Sequence, residues 1–293
     1  MIAVDWGSSN FRAFRMSDDG VILERRTSAA GVLSIQGGRF EETLFEQLGD
    51  WLEAGESRIL LSGMVGSRQG LVETAYLQCP VGLADLAKAV VKVNLDGMEA
   101  LLIPGVATTD SYGVPEVMRG EETQAMGMLD ACGGAGIICV PGTHSKWINI
   151  ADSAIASFIT CMTGDVFSAL RNGTILSRTM TVGNHMNNAA FLRGVARSAD
   201  AGGLLHHLFS VRTLALMDDL APSDSASYLS GLLIGHEVRS VMPADVHVHL
   251  VGNAVLSSLY GQAIKACHGS FTIEDSDAAA RGLAAIARRL PWT

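Results

Sequence analysis

The feature that most constrains this chain is a plan it uses twice. Residues 2–4 are apolar, Asp5-Trp6-Gly7-Ser8-Ser9-Asn10 is a polar turn, and Phe11 to Met16 is apolar-rich again. Residues 137–140 are apolar, Pro141-Gly142-Thr143-His144-Ser145-Lys146 is a second turn rich in glycine and hydroxyls, and Trp147 to Ile150 resumes the apolar run. Each hairpin leads into a third strand, over 21–27 after Asp18-Asp19-Gly20 and over 155–160 after Asp152-Ser153. A helix follows each, over 39–53 and from about Asp165, with Phe40, Leu44, Leu48, Trp51 and Leu52 on one stripe of the first. The residue identities differ, so the repeat is one of pattern. It predicts an α/β protein of two similar halves that divide at Gly133-Gly134-Ala135-Gly136, into residues 1–132 and 133–293. The last helix is free to pack back on the first half.

The remaining pattern predicts helices over 83–91, 116–130, 185–199, 203–217, 224–241, 254–267 and 277–290, and strands over 59–61, 101–105, 245–251 and 270–273. Composition agrees with large cores: 48% of the 293 residues are hydrophobic and 17% are charged. The net charge of −9, with no cluster of lysine or arginine, argues against nucleic-acid binding. Five cysteines without a CxxC pair suit reduced thiols and a cytoplasmic location. The first residues enter a strand at once, without the basic and apolar regions of a signal peptide, and no uninterrupted apolar run is long enough for a membrane span. The apolar stretch over 220–241 would allow a homodimer.

The polar turns carry the chemistry. Glycine lets backbone approach a ligand closely, and successive turn N–H groups make an anion-binding concavity. Asp5 cannot touch a phosphate, but it can hold a cation that does. If the two halves face each other, both turns point into one cleft and grip a phosphate chain from opposite sides. Closure would then exclude water. His247 and His249 have metal-ligand spacing on one strand face but lack a third ligand nearby, and His206-His207 diverge on a helix, so both pairs read as structural. There is no GxSxG and no P-loop signature.

The hairpin pair resembles the two phosphate-binding turns of the actin, sugar-kinase and Hsp70 superfamily, which implies two ribonuclease-H-like domains flanking an ATP cleft. AVDWGSSNFRAF, SGMVGSRQG, IPGV, VMRGEETQ, VPGTHSKW, TCMTGD and YLSGLLIGHEV, in order from residue 3 to about 238, resemble more closely the 2-dehydro-3-deoxygalactonokinases. The resemblance implies transfer of phosphate from ATP, with Mg2+, to the 6-hydroxyl of 2-dehydro-3-deoxy-D-galactonate, a small sugar acid. It differs from the family pattern at Asp165, where glutamate is expected, and at Leu71, where an aromatic is common. The match at Val251-Gly252-Asn253-Ala254 is loose.

Carried onto this sequence, the resemblance implies Asp5 as magnesium holder and Gly7, Ser8, Ser9 and Asn10 as one phosphate cradle. Gly142, Thr143, His144 and Lys146 form the other, and Gly252 and Asn253 admit adenosine. Arg12 would stabilise the transferring phosphoryl group or bind the substrate carboxylate. Glu121 leads as general base, with Asp165 its rival and Asp110 weaker. Gly66, Ser67, Arg68, Arg119 and Glu122 would line the substrate. Two other readings remain open: a phosphohydrolase or exopolyphosphatase-like enzyme on the same fold, and a non-enzymatic ATP-binding assembly protein.

Overall fold

The structure is a computed structural model that describes residues 1–181 and 186–292. The chain forms two compact units. Unit 1 comprises Met1–Ala135, Ile148–Phe158 and Asp277–Thr293; unit 2 comprises Gly136–Trp147 and Ile159–Ser276. Two segments beyond residue 132, Ile148–Phe158 and Asp277–Thr293, thus group with unit 1.

Unit 1 opens with β1 (Ile2–Trp6), β2 (Phe11–Met16), β3 (Ile22–Ser28), α1 (Phe40–Glu53) and β4 (Ile59–Gly63). It continues through β5 (Tyr76–Gln78), β6 (Val81–Gly82), α2 (Leu83–Lys88), β7 (Val91–Leu95) and β8 (Met98–Leu102). β9 (Gly105–Thr109), β10 (Pro115–Met118) and α3 (Glu121–Met126) complete its first segment. The main sheet runs β3-β2-β1-β4-β8-β7. β1 is central, antiparallel to β2 and parallel to β4, and all five of its residues are buried. A strand covered on both faces reads as a continuous apolar run, which is why Asp5 stands out within it. α1 lays Phe40, Leu44, Leu48 and Trp51 on a core that includes Trp6, Phe11 and Leu61. A second sheet, β10-β9-β5, carries the chain to α3.

Two predicted helices are shorter than the pattern suggested. Residues 83–91 end as helix at Lys88, because Val91, Val93 and Leu95 alternate and pair antiparallel with β8. Residues 116–130 begin as strand β10 and turn at Gly120, whose φ of 108° only glycine adopts readily, so the helix starts at Glu121. The predicted strand over 101–105 is the end of β8 and the start of β9.

In chain order there follow β11 (Gly136–Val140), β12 (Ser145–Ala151), β13 (Ala154–Cys161), α4 (Thr163–Gly173), α5 (Asn188–Arg197), α6 (Gly203–Leu216) and α7 (Ser225–Val241). Last come β14 (His247–Leu250), α8 (Ala254–Ala266), β15 (Ser270–Ile273) and α9 (Ala278–Ala287). The predicted helix over 185–199 is α5; its expected first residue, His185, lies outside the described residues. In unit 2, β14 pairs parallel with β11 and with β15. α5 and α7 cross at glycines: a Cβ on Gly194 would stand 2.1 Å from the Tyr228 carbonyl oxygen, and one on Gly231 would stand 1.9 Å from that of Phe191. α7 buries Tyr228, Leu229, Leu232, Leu233, Ile234 and Val238 in its own unit, so the apolar 220–241 stretch is core and not a spare face. In unit 1, α9 packs on α3. Among the described residues no helix is long and apolar enough to cross a membrane.

Candidate active site

In unit 1 the candidate site is built at the C-terminal end of β1. Asp5 sits opposite Arg12 on β2 and Ser62 on β4. It is 4% exposed, and the Arg12 guanidinium donates to its Oδ2. Burial pushes the Asp5 carboxyl above its ordinary pKa, while Arg12 pulls it back. The turn after it closes with Gly7 N–H donating to the Asn10 carbonyl at 2.9 Å, and Ser9 and Asn10 are exposed. The 31–33 stretch supports it from below: Val32 N–H donates to the Gly7 carbonyl and Leu33 N–H to that of Ser8, both at 3.0 Å. A Cβ on Gly31 would lie 2.3 Å from the Ser9 carbonyl carbon, so this support exists only because residue 31 has no side chain.

β4 ends beside the same place. Gly63, at φ 93°, has its backbone against the Trp6 carbonyl, and a Cβ on Gly120 would lie 3.3 Å from Gly63 Cα and 4.0 Å from Asp5 Oδ1. The turn that carries the two glutamates is thus seated on Asp5. Glu122 Oε2 accepts the Gly120 N–H at 2.6 Å, and Glu121 Oε2 accepts the Arg119 N–H at 3.2 Å. Glu122 is fully buried and its Oε1 has no partner among the described residues. Burial, reinforced by the charge of Glu121, raises its pKa to about 8.

Arg119 is buried and works inside the unit. Its Nη1 donates to Thr74 Oγ1, its Nη2 donates to the Thr74 carbonyl at 2.7 Å, and its guanidinium stacks 4.5 Å from the Tyr76 ring centroid. A Cβ on Gly66 would come 2.9 Å from its Nη1. The cation therefore clamps the loop over 66–74, a role that residue type alone did not reveal. Ser67 is buried and accepts the Gln69 N–H at 3.3 Å. Arg68, by contrast, is exposed and faces Glu73 at 3.4 Å, apart from the Asp5–Gly120 group. Asp110 accepts the N–H groups of Tyr112 and Val114, both at 2.8 Å, and so holds an exposed turn.

In unit 2 the turn between β11 and β12 rests on the start of α4. Asp165 N–H donates to the Thr143 carbonyl at 3.0 Å, and a Cβ on Gly164 would meet the Gly142 carbonyl oxygen at 2.5 Å. The His144 ring lies 3.8 Å from the Asp165 carboxylate, with both side chains about half exposed. Lys146 is buried and donates to Thr160 Oγ1 at 3.1 Å, so its charge is held along the sheet. Gly252, at φ 125°, has its backbone near the Pro141 carbonyl, and Asn253 caps α8 by accepting the N–H groups of Val255 and Leu256.

Beside Gly142 opens a cavity of about 360 Å³ that lies wholly in unit 2. Phe167, Leu233, Ile234, Leu256 and Leu259 form its walls, with Ser227 and Ser230 on α7 as polar groups. Its lining reaches Val255 and Leu256, just past the Gly252-Asn253 pair; the loose turn match located the region but not the walls. Sequence reasoning also missed Glu237. This buried carboxylate accepts from Ser145 Oγ and Trp147 Nε1 on β12 and from Tyr260 OH on α8, each at 2.7 Å. Burial, with the neighbouring Glu237 charge, pushes the Tyr260 hydroxyl well above its ordinary pKa. A lone acid in the apolar run Tyr228–Val238 was the available signal. His247 bonds Ser270 and Thr272, and His249 bonds Glu274; among the described residues no group of three metal-ligating side chains occurs.

A mixed α/β architecture whose strand ends carry glycine turns, with an apolar cavity beside one of them, has the fold of the actin-like ATPases and sugar kinases, which solved structures share at low identity. The family model described as 2-keto-3-deoxy-galactonokinase matches residues 5–286, and the chain belongs to that family of sugar-acid kinases. It is 36% identical to the probable 2-dehydro-3-deoxygalactonokinase of Rhizobium meliloti, over 98% of this chain and 96% of that protein. It is 33% identical to the 2-dehydro-3-deoxygalactonokinase of Escherichia coli, over 95% and 94%. A crystal structure of a candidate 2-dehydro-3-deoxygalactonokinase from Sinorhizobium meliloti superposes with a TM-score of 0.88 at 35% identity, covering 98% of both chains.

Proposed function

We propose that this kinase transfers the γ-phosphoryl group of ATP to the 6-hydroxyl of 2-dehydro-3-deoxy-D-galactonate. The observation that carries the assignment of residues is the convergence at Gly120, which lies beside the buried Asp5, donates its N–H to Glu122 and directly precedes Glu121. A phosphotransferase needs a carboxylate for the proton of the attacking hydroxyl and another for a cation, and unit 1 supplies both types. The sugar oxygen attacks phosphorus, the bond from phosphorus to the bridging oxygen of ADP breaks, and the hydroxyl proton passes to a carboxylate. Glu121 is the better acceptor, because Glu122 is buried and holds its own proton near neutral pH.

Asp5 fits a magnesium ion: its oxygens are hard donors, and a nearby cation would offset the desolvation that raises its pKa. Bound there, the metal would neutralise charge on the phosphates. The Gly7–Asn10 turn offers backbone N–H groups to the same phosphates, and Arg12 holds the Asp5 carboxylate in place. In unit 2, Gly142, Thr143 and His144 sit at the N-terminus of α4, where phosphate is favoured. Lys146 adds positive potential from below that turn. The neighbouring cavity suits an adenosine by size and by its apolar walls, with Gly252 and Asn253 at its edge. Gly66, Ser67 and the Arg119 clamp shape the loop that receives the sugar acid.

The test is a coupled assay of ADP release across a panel of keto-deoxy sugar acids, with Asp5→Asn, Glu121→Gln and Asp165→Asn beside the parent enzyme. Release that depends on the galactonate derivative and falls by about a hundredfold or more in Glu121→Gln is the expected result. Equal ADP release without any sugar acid would assign a phosphohydrolase instead.

A further inference from the structure

A second cavity, of about 640 Å³, lies wholly in unit 1 and has no part in the phosphoryl-transfer site described above. Its character is unusual for a chain of net charge −9. Three arginines line it, Arg281, Arg288 and Arg289, all from α9 or its C-terminal end, and among the described residues the lining holds one carboxylate, Asp130. Among the described residues neither Arg288 nor Arg289 has a carboxylate within 4.0 Å. Arg288 Nη1 reaches only the Asp19 carbonyl, at 3.4 Å, and Arg289 Nη1 donates to the Ala285 carbonyl at 2.8 Å. Arg281, also in the lining, donates from Nε to the Gly127 carbonyl at 3.1 Å.

The helix dipole does not account for this set. Cations are favoured at a helix C-terminus, where Arg288 is the C-cap residue of α9 and Arg289 follows it, but Arg281 stands near the start of α9, where a cation is disfavoured. The cavity is also kept open by glycines. A Cβ on Gly20 would lie 2.8 Å from Arg288 Nη1, one on Gly134 would lie 2.8 Å from Ser153 Oγ, and Gly133 faces open space. The Arg288 and Arg289 guanidinium groups, which have no carboxylate partner among the described residues, match at this polar hollow an anion that brings several acceptor oxygens.

We infer that this hollow between α9 and the 127–134 turn is a binding site for a small phosphate-bearing anion, separate from the catalytic phosphates. The site has a physical connection to the chemistry. α3 has six residues, about 9 Å of helix. Its first turn carries Glu121 and Glu122, and Met126 at its other end lines the hollow. α9 touches α3 without side chains between them: a Cβ on Gly282 would stand 1.8 Å from the Thr123 carbonyl oxygen, and one on Gly127 would stand 1.9 Å from that of Ala278. An anion that draws the arginines together bears on α3 directly.

The experiment is calorimetric titration of the full-length protein with inorganic phosphate and, separately, 3-phosphoglycerate, with saturating ADP present to occupy the nucleotide site. The parent is compared with Arg288→Ala/Arg289→Ala and with Asp130→Asn. Saturable binding is expected in the parent, at least about tenfold weaker in the double variant and tighter in Asp130→Asn, since loss of two charge-assisted contacts and loss of one repulsive charge act in opposite directions. Circular dichroism checks that the double variant is folded, and Asp130→Asn reports independently if it is not. Equal affinity in all three proteins, or no heat in the parent up to about 10 mM, where an affinity too weak for a built site begins, overturns the inference. Binding is read without turnover, so it stands or falls apart from the kinase assignment.

Discussion

Glu122 Oε2 accepts the backbone N–H of Gly120 at 2.6 Å, in a turn that lies beside the Asp5 carboxylate. A buried acid therefore holds the backbone that spaces the other acids of the site. Because Glu122 Oε1 is left without a partner among the described residues, the charged form is poorly solvated, and the site has a proton of its own near neutral pH.

This gives a signed dependence of stability on pH. The Glu122 pKa is raised from 4.5 when unfolded to about 8 when folded. The native state thus binds the extra proton between those values, and stability falls as pH rises from about 4.5 through about 8. The stabilisation is fully present below the lower value. Glu122→Gln keeps the acceptor for Gly120 and removes the titration. Urea denaturation of the ligand-free protein at pH 5.5 and 8.5 should show the parent losing up to roughly 3 kcal/mol relative to the variant. Parallel curves for both proteins would refute the assignment.

Gly120→Ala puts a methyl group on a residue at φ 108° and 3.3 Å from Gly63 Cα. The backbone strain alone costs about 1–3 kcal/mol. Relief of that strain displaces the Glu121–Glu122 turn from Asp5, so kcat should fall by more than the loss of folded protein explains. Steady-state kinetics normalised to folded fraction separates the two effects.

Gly31→Ala isolates the support under the first phosphate turn. The φ of Gly31 is −68°, which suits any residue, so it is the close backbone of Ser8 and Ser9, 2.3 Å away at the Ser9 carbonyl carbon and 2.4 Å at the Ser8 carbonyl oxygen, that opposes a side chain. The expected result is a raised KM for ATP with a stability loss of about 1–3 kcal/mol from overpacking. An unchanged KM would detach the Gly7–Asn10 turn from nucleotide binding.

Glu237→Ala removes the shared acceptor of Ser145, Trp147 and Tyr260. Buried donors left unpaired cost about 1–3 kcal/mol each, so a loss of roughly 3–5 kcal/mol is expected after partial relaxation. Glu237→Gln, which retains an acceptor oxygen, should lose distinctly less. Thermal melts of both variants test the order.

Much of the architecture was legible along the chain because its causes are local. The two hairpins were marked by apolar runs around polar turns, and α1, α6, α7 and α8 fell within a residue or two of their periodic patterns. Local signals misled where a partner strand or a single glycine outweighed them. Val91–Leu95 joined β8 although it continued a helical pattern, and Gly120 cut the 116–130 pattern to six residues of helix. For the site, residue type identified Asp5, the two turns and the glutamate pair as candidates. It did not separate Arg119, buried against Thr74 and Tyr76, from Arg68, exposed beside Glu73.

What the sequence determined by itself was the set of elements and the placing of glycine, acid and hydroxyl at strand ends, since turn conformation and strand alternation follow from neighbouring residues. Tertiary structure alone decided what those residues touch. The return of residues 277–293 to unit 1, the seating of Gly120 on Asp5, the three donors on Glu237 and the arginine-lined hollow all join residues far apart in the chain. Burial and hydrogen-bond partnership depend on which surfaces meet when elements pack, and no local pattern in the chain encodes that.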